Sequence, residues 1–251
     1  MSAFRIRQRP LFFDTLRIDK AFVVAYLAPH PDDFDAVGMT MRRFRENGNR
    51  IELAVATSGA SGVEDAFVAE PSTATKALIR EREQLESCGF FGLPREQVSF
   101  LRLEEDETGH PLVSSANATR ITQFLTAKRP DIVLMPHGND TNEGHRRIYT
   151  MFSEAARDLR LSVLLLLNRD PKTISMKNDL YTVFGEPDAR WKAELLRFHQ
   201  SQHQRNLNTR KIGFDRRILS VNRESALALN GRAEYAEAFE IALFQHGIPI
   251  R

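Results

Sequence analysis

Five short apolar runs, at 22–27, 51–57, 98–103, 131–135 and 161–168, alternate with four stretches of helical character at 37–46, 73–90, 116–127 and 146–159. This alternation constrains the fold more than any other feature of the chain. A strand gains a parallel neighbour only through a crossover long enough to hold a helix, so the pattern predicts an α/β fold with a mostly parallel, doubly wound sheet and helices on both faces. Stop signals fall where such helices must end, at Gly48, at Gly92 with Pro94, and before Pro130. Right-handed crossovers place every strand-to-helix turn at one edge of the sheet. The loops at 28–35, 58–72, 104–115 and 136–145 are therefore expected to converge.

After Pro171 the pattern changes. A strand is expected at 180–184 and a helix at 189–204, with apolar Trp191, Leu195, Leu196 and Phe198. A short strand is expected at 217–221, with weaker helical or irregular pieces at 224–230 and 232–239. No linker rich in Gly, Ser or Pro and no internal repeat divides the chain. The reading is one domain over 1–251, with a core at about 20–170 and an irregular C-terminal lobe at about 171–251.

Composition narrows the function classes. A net charge of +2 lacks the basic bias of a dedicated nucleic-acid surface, and Arg42, Arg43 and Arg45 read as a solvated helix face. The longest aliphatic run, 163–167, is far too short to span a bilayer. The basic N-terminus, 1–14, has no long apolar core or small-residue cleavage site and reads as an arm of the domain. The single cysteine, Cys88, excludes an internal disulfide and reads as a buried structural thiol. The expectation is a cytoplasmic protein with no nucleic-acid and no membrane partner.

The chemistry concentrates in two turns. The first run leads into Ala28-Pro29-His30-Pro31-Asp32-Asp33-Phe34-Asp35, and the fourth into Pro136-His137-Gly138-Asn139-Asp140-Thr141-Asn142-Glu143-Gly144-His145. In α/β sheets ligands bind outside the carboxyl ends of the strands. Two imidazoles and one carboxylate, here His30, Asp33 and His145, form a common ligand set for catalytic zinc that leaves one position to water. Asp32 is then free to face that water as a base, and Asp35 to orient a ligand histidine. By itself the first turn reads equally well as Asx caps for the following helix; a second histidine loop of the same kind shifts the balance toward a metal. His137 lies nearer its strand and is the weaker ligand. His110, His199, His203 and His246 read as surface or packing residues. A nucleotide-binding reading is disfavoured, because the first turn lacks Gly-x-Gly-x-x-Gly and carries acids where a phosphate would sit.

These residues resemble the LmbE-like, or PIG-L, deacetylases. Residues 28–33 are similar to the Ala-His-Pro-Asp-Asp motif of that family, Asp35 falls where it often has Glu, and Gly38 matches a following glycine. Thr57-Ser58-Gly59, Arg80 to Glu83, Gly92-Leu93, the loop from His137 to His145, Ser201-Gln202 and 235–239 continue the resemblance in order. It implies a Rossmann-like fold and a zinc-dependent hydrolase removing N-acetyl groups from amino sugars, with Fe2+ as the alternative metal. It further implies His30, Asp33 and His145 as ligands, Asp32 as general base and Arg80 as a substrate contact. The partner is then a small N-acylated molecule, and relatives often assemble into homo-oligomers. One departure stands out. The second loop of the family has His-Pro-Asp-His, and here Asn142 replaces the first of those histidines. Asn142 can donate to an oxyanion but cannot act as a general acid near neutral pH, which leaves Asp32 both proton transfers. Asp106 and His110 are expected at the pocket rim, with Asp106 as a substrate contact. A non-catalytic binding protein on the same fold, or an amide hydrolase acting on a non-sugar substrate, is the alternative.

Overall fold

The computed structural model describes residues 9–250. The arm expected at 1–14 lies outside the described residues as far as residue 8. Nine strands make one sheet: β1 (Leu11–Phe12), β2 (Val23–Ala28), β3 (Arg50–Val55), β4 (Val98–Phe100), β5 (Ile132–Pro136), β6 (Val163–Asn168), β7 (Leu180–Phe184), β8 (Tyr235–Gln245) and β9 (Ile248–Ile250). Their order is β1-β7-β8-β6-β5-β2-β3-β4, with β9 paired to β8. From β6 to β4 all neighbours are parallel, while β8 runs antiparallel to β6, β7 and β9.

The helices are α1 (Asp33–Ala36), α2 (Gly38–Asn47), α3 (Thr73–Phe91), α4 (Ser115–Lys128), α5 (Glu143–Asp158), α6 (Glu186–Arg197), α7 (Gln200–Arg210) and α8 (Phe214–Leu227). Alternate strand residues point to opposite faces, and both faces are dry. Val24, Tyr26, Leu53, Leu134 and Leu166 pack with Phe34, Met41, Phe44 and Phe91 on one side. Leu27, Ala54, Val133, Met135 and Leu165 pack with Ile121, Phe124, Ile148 and Phe152 on the other. This two-sided burial explains why the central strands read as nearly continuous apolar runs.

The C-terminal third departs from the sequence reading in three places. The helix expected at 189–204 breaks between α6 and α7. His199 turns in so that its Nε2 meets Asp35 Oδ2 at 2.6 Å, and Glu83 accepts from the Ser201 N–H (2.6 Å) and Oγ (2.7 Å) at the start of α7. That carboxylate serves donors that a helix start would otherwise leave unpaired. The strand expected at 217–221 lies within α8, whose Phe214, Ile218, Asn222 and Ala226 are buried at helical spacing. The irregular piece expected at 232–239 instead enters β8, which inserts between β6 and β7.

A buried acid obscured β8. Glu237 accepts from the backbone N–H groups of Met39 (3.0 Å) and Thr40 (2.7 Å) in the first turn of α2 and from Lys192 Nζ (2.6 Å). Lys192 and Glu237 are both buried. Removing one partner of such a pair strands the other charge, so Lys192→Met should lower stability by about 3–5 kcal/mol in urea unfolding. No helix among the described residues is long and apolar enough to cross a membrane.

Candidate metal centre

The chain leaves β2 toward β3 and β4 and returns to β5 on the opposite side of β2. The carboxyl ends of β2 and β5 are thus a topological switch point, where a crevice opens. The two histidine loops emerge there. His30, Asp33 and His145 place one donor atom each within 4.8 Å of one another. His30 Nδ1 is 3.3 Å from Asp33 Oδ2, and His145 Nε2 is 3.6 Å from Asp33 Oδ1. The two imidazole rings are 5.4 Å apart and inclined at 45°.

Asp33 has two duties. Its Oδ2 also accepts the His30 backbone N–H at 2.8 Å, so the Asx-turn reading and the ligand reading are both true of one side chain. Burial pushes the Asp33 carboxyl up, but the charges and hydrogen bonds of His145 and His30 outweigh it and hold Asp33 well below the usual carboxylate range. Burial pushes His145 down, yet Asp33 and Asp140 together carry it up to about 10. Behind His145, Asp140 Oδ2 lies 3.2 Å from Nδ1. Nε2 faces Asp33, and with an ion bound there the Asp140 contact would hold the ring proton on Nδ1 and leave Nε2 to the ion. Two histidines and one carboxylate, with Asp140 behind His145, fit a divalent cation.

Gly144 explains how His30 fits over the start of α5. A Cβ there would stand 2.9 Å from His30 Nε2 and 3.0 Å from Cε1. Gly144→Ala therefore displaces the imidazole and should weaken metal binding by about 10–100-fold, the scale seen when a ligand loses its support. Competition against a chromophoric chelator measures this.

Asp32 occupies a left-handed conformation, φ 102°, which a residue with a Cβ adopts only when its surroundings hold it. Two anchors from α3 do so. The Asp32 N–H donates to Gln84 Oε1 at 2.9 Å, and Arg80 Nη2 donates to Asp32 Oδ2 at 2.8 Å. Among the described residues, Asp32 Oδ1 takes no hydrogen bond, and Asp32 lines a cavity of about 320 Å³ together with His30, Asp33, His110, Asn142 and His145. Asn142 caps α5, its Oδ1 accepting from the Gly144 N–H at 3.0 Å.

Three sequence-derived roles change. Arg80 lines the cavity but is only 2% exposed, and its guanidinium meets Asp32, the Pro31 carbonyl and Glu83; besides any contact with a substrate, it positions Asp32. Asp35 does not orient either metal-facing histidine. Its carboxylate is fully buried and accepts from Gln84 (3.0 Å), Ser87 (3.2 Å) and His199, and Asp140 takes the role expected of it. Asp106 is not part of the cavity wall. It accepts from the Thr108 and His110 N–H groups and pairs with Arg147 at 2.6 Å, and so shapes the turn that brings Thr108, Gly109 and His110 to the cavity. His137 turns away toward Glu240, 3.4 Å distant. Asp140 was missed, although it sits five residues before His145 in the same polar loop.

The family model described as PIG-L, GlcNAc-PI de-N-acetylase, matches residues 25–156, which include both loops. No curated protein matches the sequence. The solved structure of N,N'-diacetylchitobiose deacetylase from Pyrococcus horikoshii is similar with a TM-score of 0.72 at 20% identity, over 90% of this chain and 85% of that one. GalB, the 4-carboxy-2-hydroxymuconate hydratase from Pseudomonas putida KT2440, is similar with a TM-score of 0.68 at 14% identity, over 88% and 95%. The zinc-inhibited form of teicoplanin deacetylase Orf2 is similar with a TM-score of 0.64 at 14% identity, over 88% and 98%. At these identities the likeness establishes the shared fold, and the fold alone does not choose between a deacetylase and a hydratase.

Proposed function

The chain belongs to the PIG-L, GlcNAc-PI de-N-acetylase family, and from that premise we propose that it is a metal-dependent hydrolase cleaving the N-acyl, foremost N-acetyl, amide of an amino sugar or related small molecule. The observation that carries this reading is Asp32. Ligation needs only His30, Asp33 and His145, yet a strained fourth residue is anchored beside them by Arg80 and Gln84, with one carboxylate oxygen left toward the cavity. A binding protein has no use for that oxygen; a hydrolase needs a base there.

His30, Asp33 and His145 would hold the ion, zinc or Fe2+. Bound there, a divalent cation supplies a Lewis acid for the amide carbonyl and makes water nucleophilic at neutral pH. Asp32 accepts the proton from the attacking water and returns it to the departing nitrogen, so that one water is consumed and one carboxylate and one amine are released. Arg80 holds Asp32 Oδ2 and fixes the direction of Oδ1 throughout. Asn142, its Oδ1 engaged at the start of α5, has its Nδ2 hydrogens available to the developing oxyanion. Removing one such donor costs about 2.7–4 kcal/mol of barrier, so Asn142→Ala should lower kcat while leaving metal content unchanged.

The reading is tested by incubating zinc-loaded protein with N-acetylated amino sugars and following free amine and acetate. Equal appearance of the two supports it. A product that retains the acetyl group and gains water elsewhere would point to hydration instead.

A further inference from the structure

The cavity has two walls of unlike character. One carries the histidine and aspartate cluster. The other, formed by α7, α8 and the segment after β6, presents Arg205, Arg210, Arg217 and Lys172 to the same space. By contrast, Arg197 at the end of α6 pairs with Asp215 at 2.8 Å, and Arg223 of α8 bonds the Tyr235 hydroxyl at 2.5 Å. The four cavity cations have no carboxylate in contact among the described residues; Arg210 bonds only the Thr209 hydroxyl, at 2.9 Å. The acids lining the cavity have partners of their own. Asp32 is paired with Arg80, Asp33 with the two histidines, and Asp170 accepts the Lys172 backbone N–H at 2.9 Å.

Arg217 is half-buried beside Phe214 and Ile218. Burial and then the Arg210 charge press its pKa down, while Asp170 and Asp32 press it up. Cations gathered in one cleft without a carboxylate in contact repel one another, and a ligand with several anionic oxygens offsets that repulsion. A guanidinium matches phosphate and carboxylate through paired N–H donors. The chain as a whole is nearly neutral at +2, so this is a local feature of the cleft and not a general surface bias.

We propose that Arg210 and Arg217, with Arg205 and Lys172 at the rim, form an anion subsite across the cavity from the metal centre, so that the substrate carries a phosphate or carboxylate besides its acyl amide. This rests on the hydrolase reading, and it selects among N-acylated molecules: neutral sugars are poor substrates and anionic ones good.

The test uses the full zinc-loaded chain with N-acetylglucosamine, N-acetylglucosamine 1-phosphate and N-acetylmuramic acid, reading kcat/KM and, separately, affinity by calorimetry. Anionic probes should be favoured by roughly 10- to 100-fold, the scale of a charged hydrogen bond. The phosphate and the carboxylate probe together tell which anion the arginines prefer. In Arg217→Gln and in Arg210→Gln the preference should fall toward one, while Arg216→Gln, exposed on the same helix, keeps it. Equal handling of neutral and anionic probes, or a preference that survives both substitutions, would overturn the subsite. Acetate release without any anion preference leaves the hydrolase standing and removes the subsite. Anion affinity that depends on Arg217, without acetate release, keeps the subsite and removes the hydrolase.

Discussion

Asp32→Asn lowers kcat by about 10²–10⁴-fold, the usual contribution of a positioned acid–base group, while metal content stays at the wild-type level. The split between the two readouts is the point. Asp32 is outside the group of donor atoms formed by His30, Asp33 and His145, so its loss should not empty the site. Its amide replacement keeps the size and can still meet Arg80, which anchors Oδ2 at 2.8 Å. What the amide cannot do is take a proton from water. Asn142, on the cavity wall, cannot serve as a general acid near neutral pH, and in the proposed mechanism both proton transfers fall on Asp32. If Asp32→Asn retained most of its turnover with metal saturating, another group would have to be moving the proton. His110, on the cavity wall, would be the residue to examine.

His145→Ala should remove both metal and turnover. His145 is the one ligand contributed by the second loop, and it is buried at 2% exposure between Asp33 and Asp140. Its removal leaves one imidazole and one carboxylate, too few to retain an ion against a chelator. Metal per chain should fall from near one to near zero. The fold should persist, since the sheet and both apolar layers are built elsewhere; far-ultraviolet circular dichroism reports that directly. Asp140→Asn is the graded form of the same prediction. Losing a carboxylate behind a ligand histidine costs about 10–100-fold in metal affinity, so this variant should bind at high metal concentration and release on dilution.

The sheet and the two histidine loops were legible because they are written locally. Apolar strands buried on both faces read as apolar runs, and a turn holding His30, Asp32 and Asp33 stands out against them. What the sequence hid depends on contacts between distant residues. That Arg80 holds Asp32, 48 residues earlier, has no local signal. Asp35 looked like support for a ligand, but its partner is His199, 164 residues on. Glu237 interrupts the apolar pattern of β8 because it serves the start of α2, and so the strand read as irregular. The break before α7 has the same origin, in Asp35 and Glu83 drawing His199 and Ser201 out of a continuing helix. Local periodicity carries the apolar layers; buried polar pairs over long separations leave no periodic trace.

The central claim is that the ion held by the two loops and Asp32 act together on an N-acyl amide. The most direct test measures acetate release from an N-acetylated amino sugar by one protein sample in three states: as purified with its metal content determined, after chelation, and after return of one equivalent of zinc or Fe2+. The account predicts turnover that falls with the ion, returns with it, and is absent from Asp32→Asn carrying the same ion. Turnover that survives complete chelation, or a fully loaded site that releases no acetate from any N-acylated probe, would contradict it.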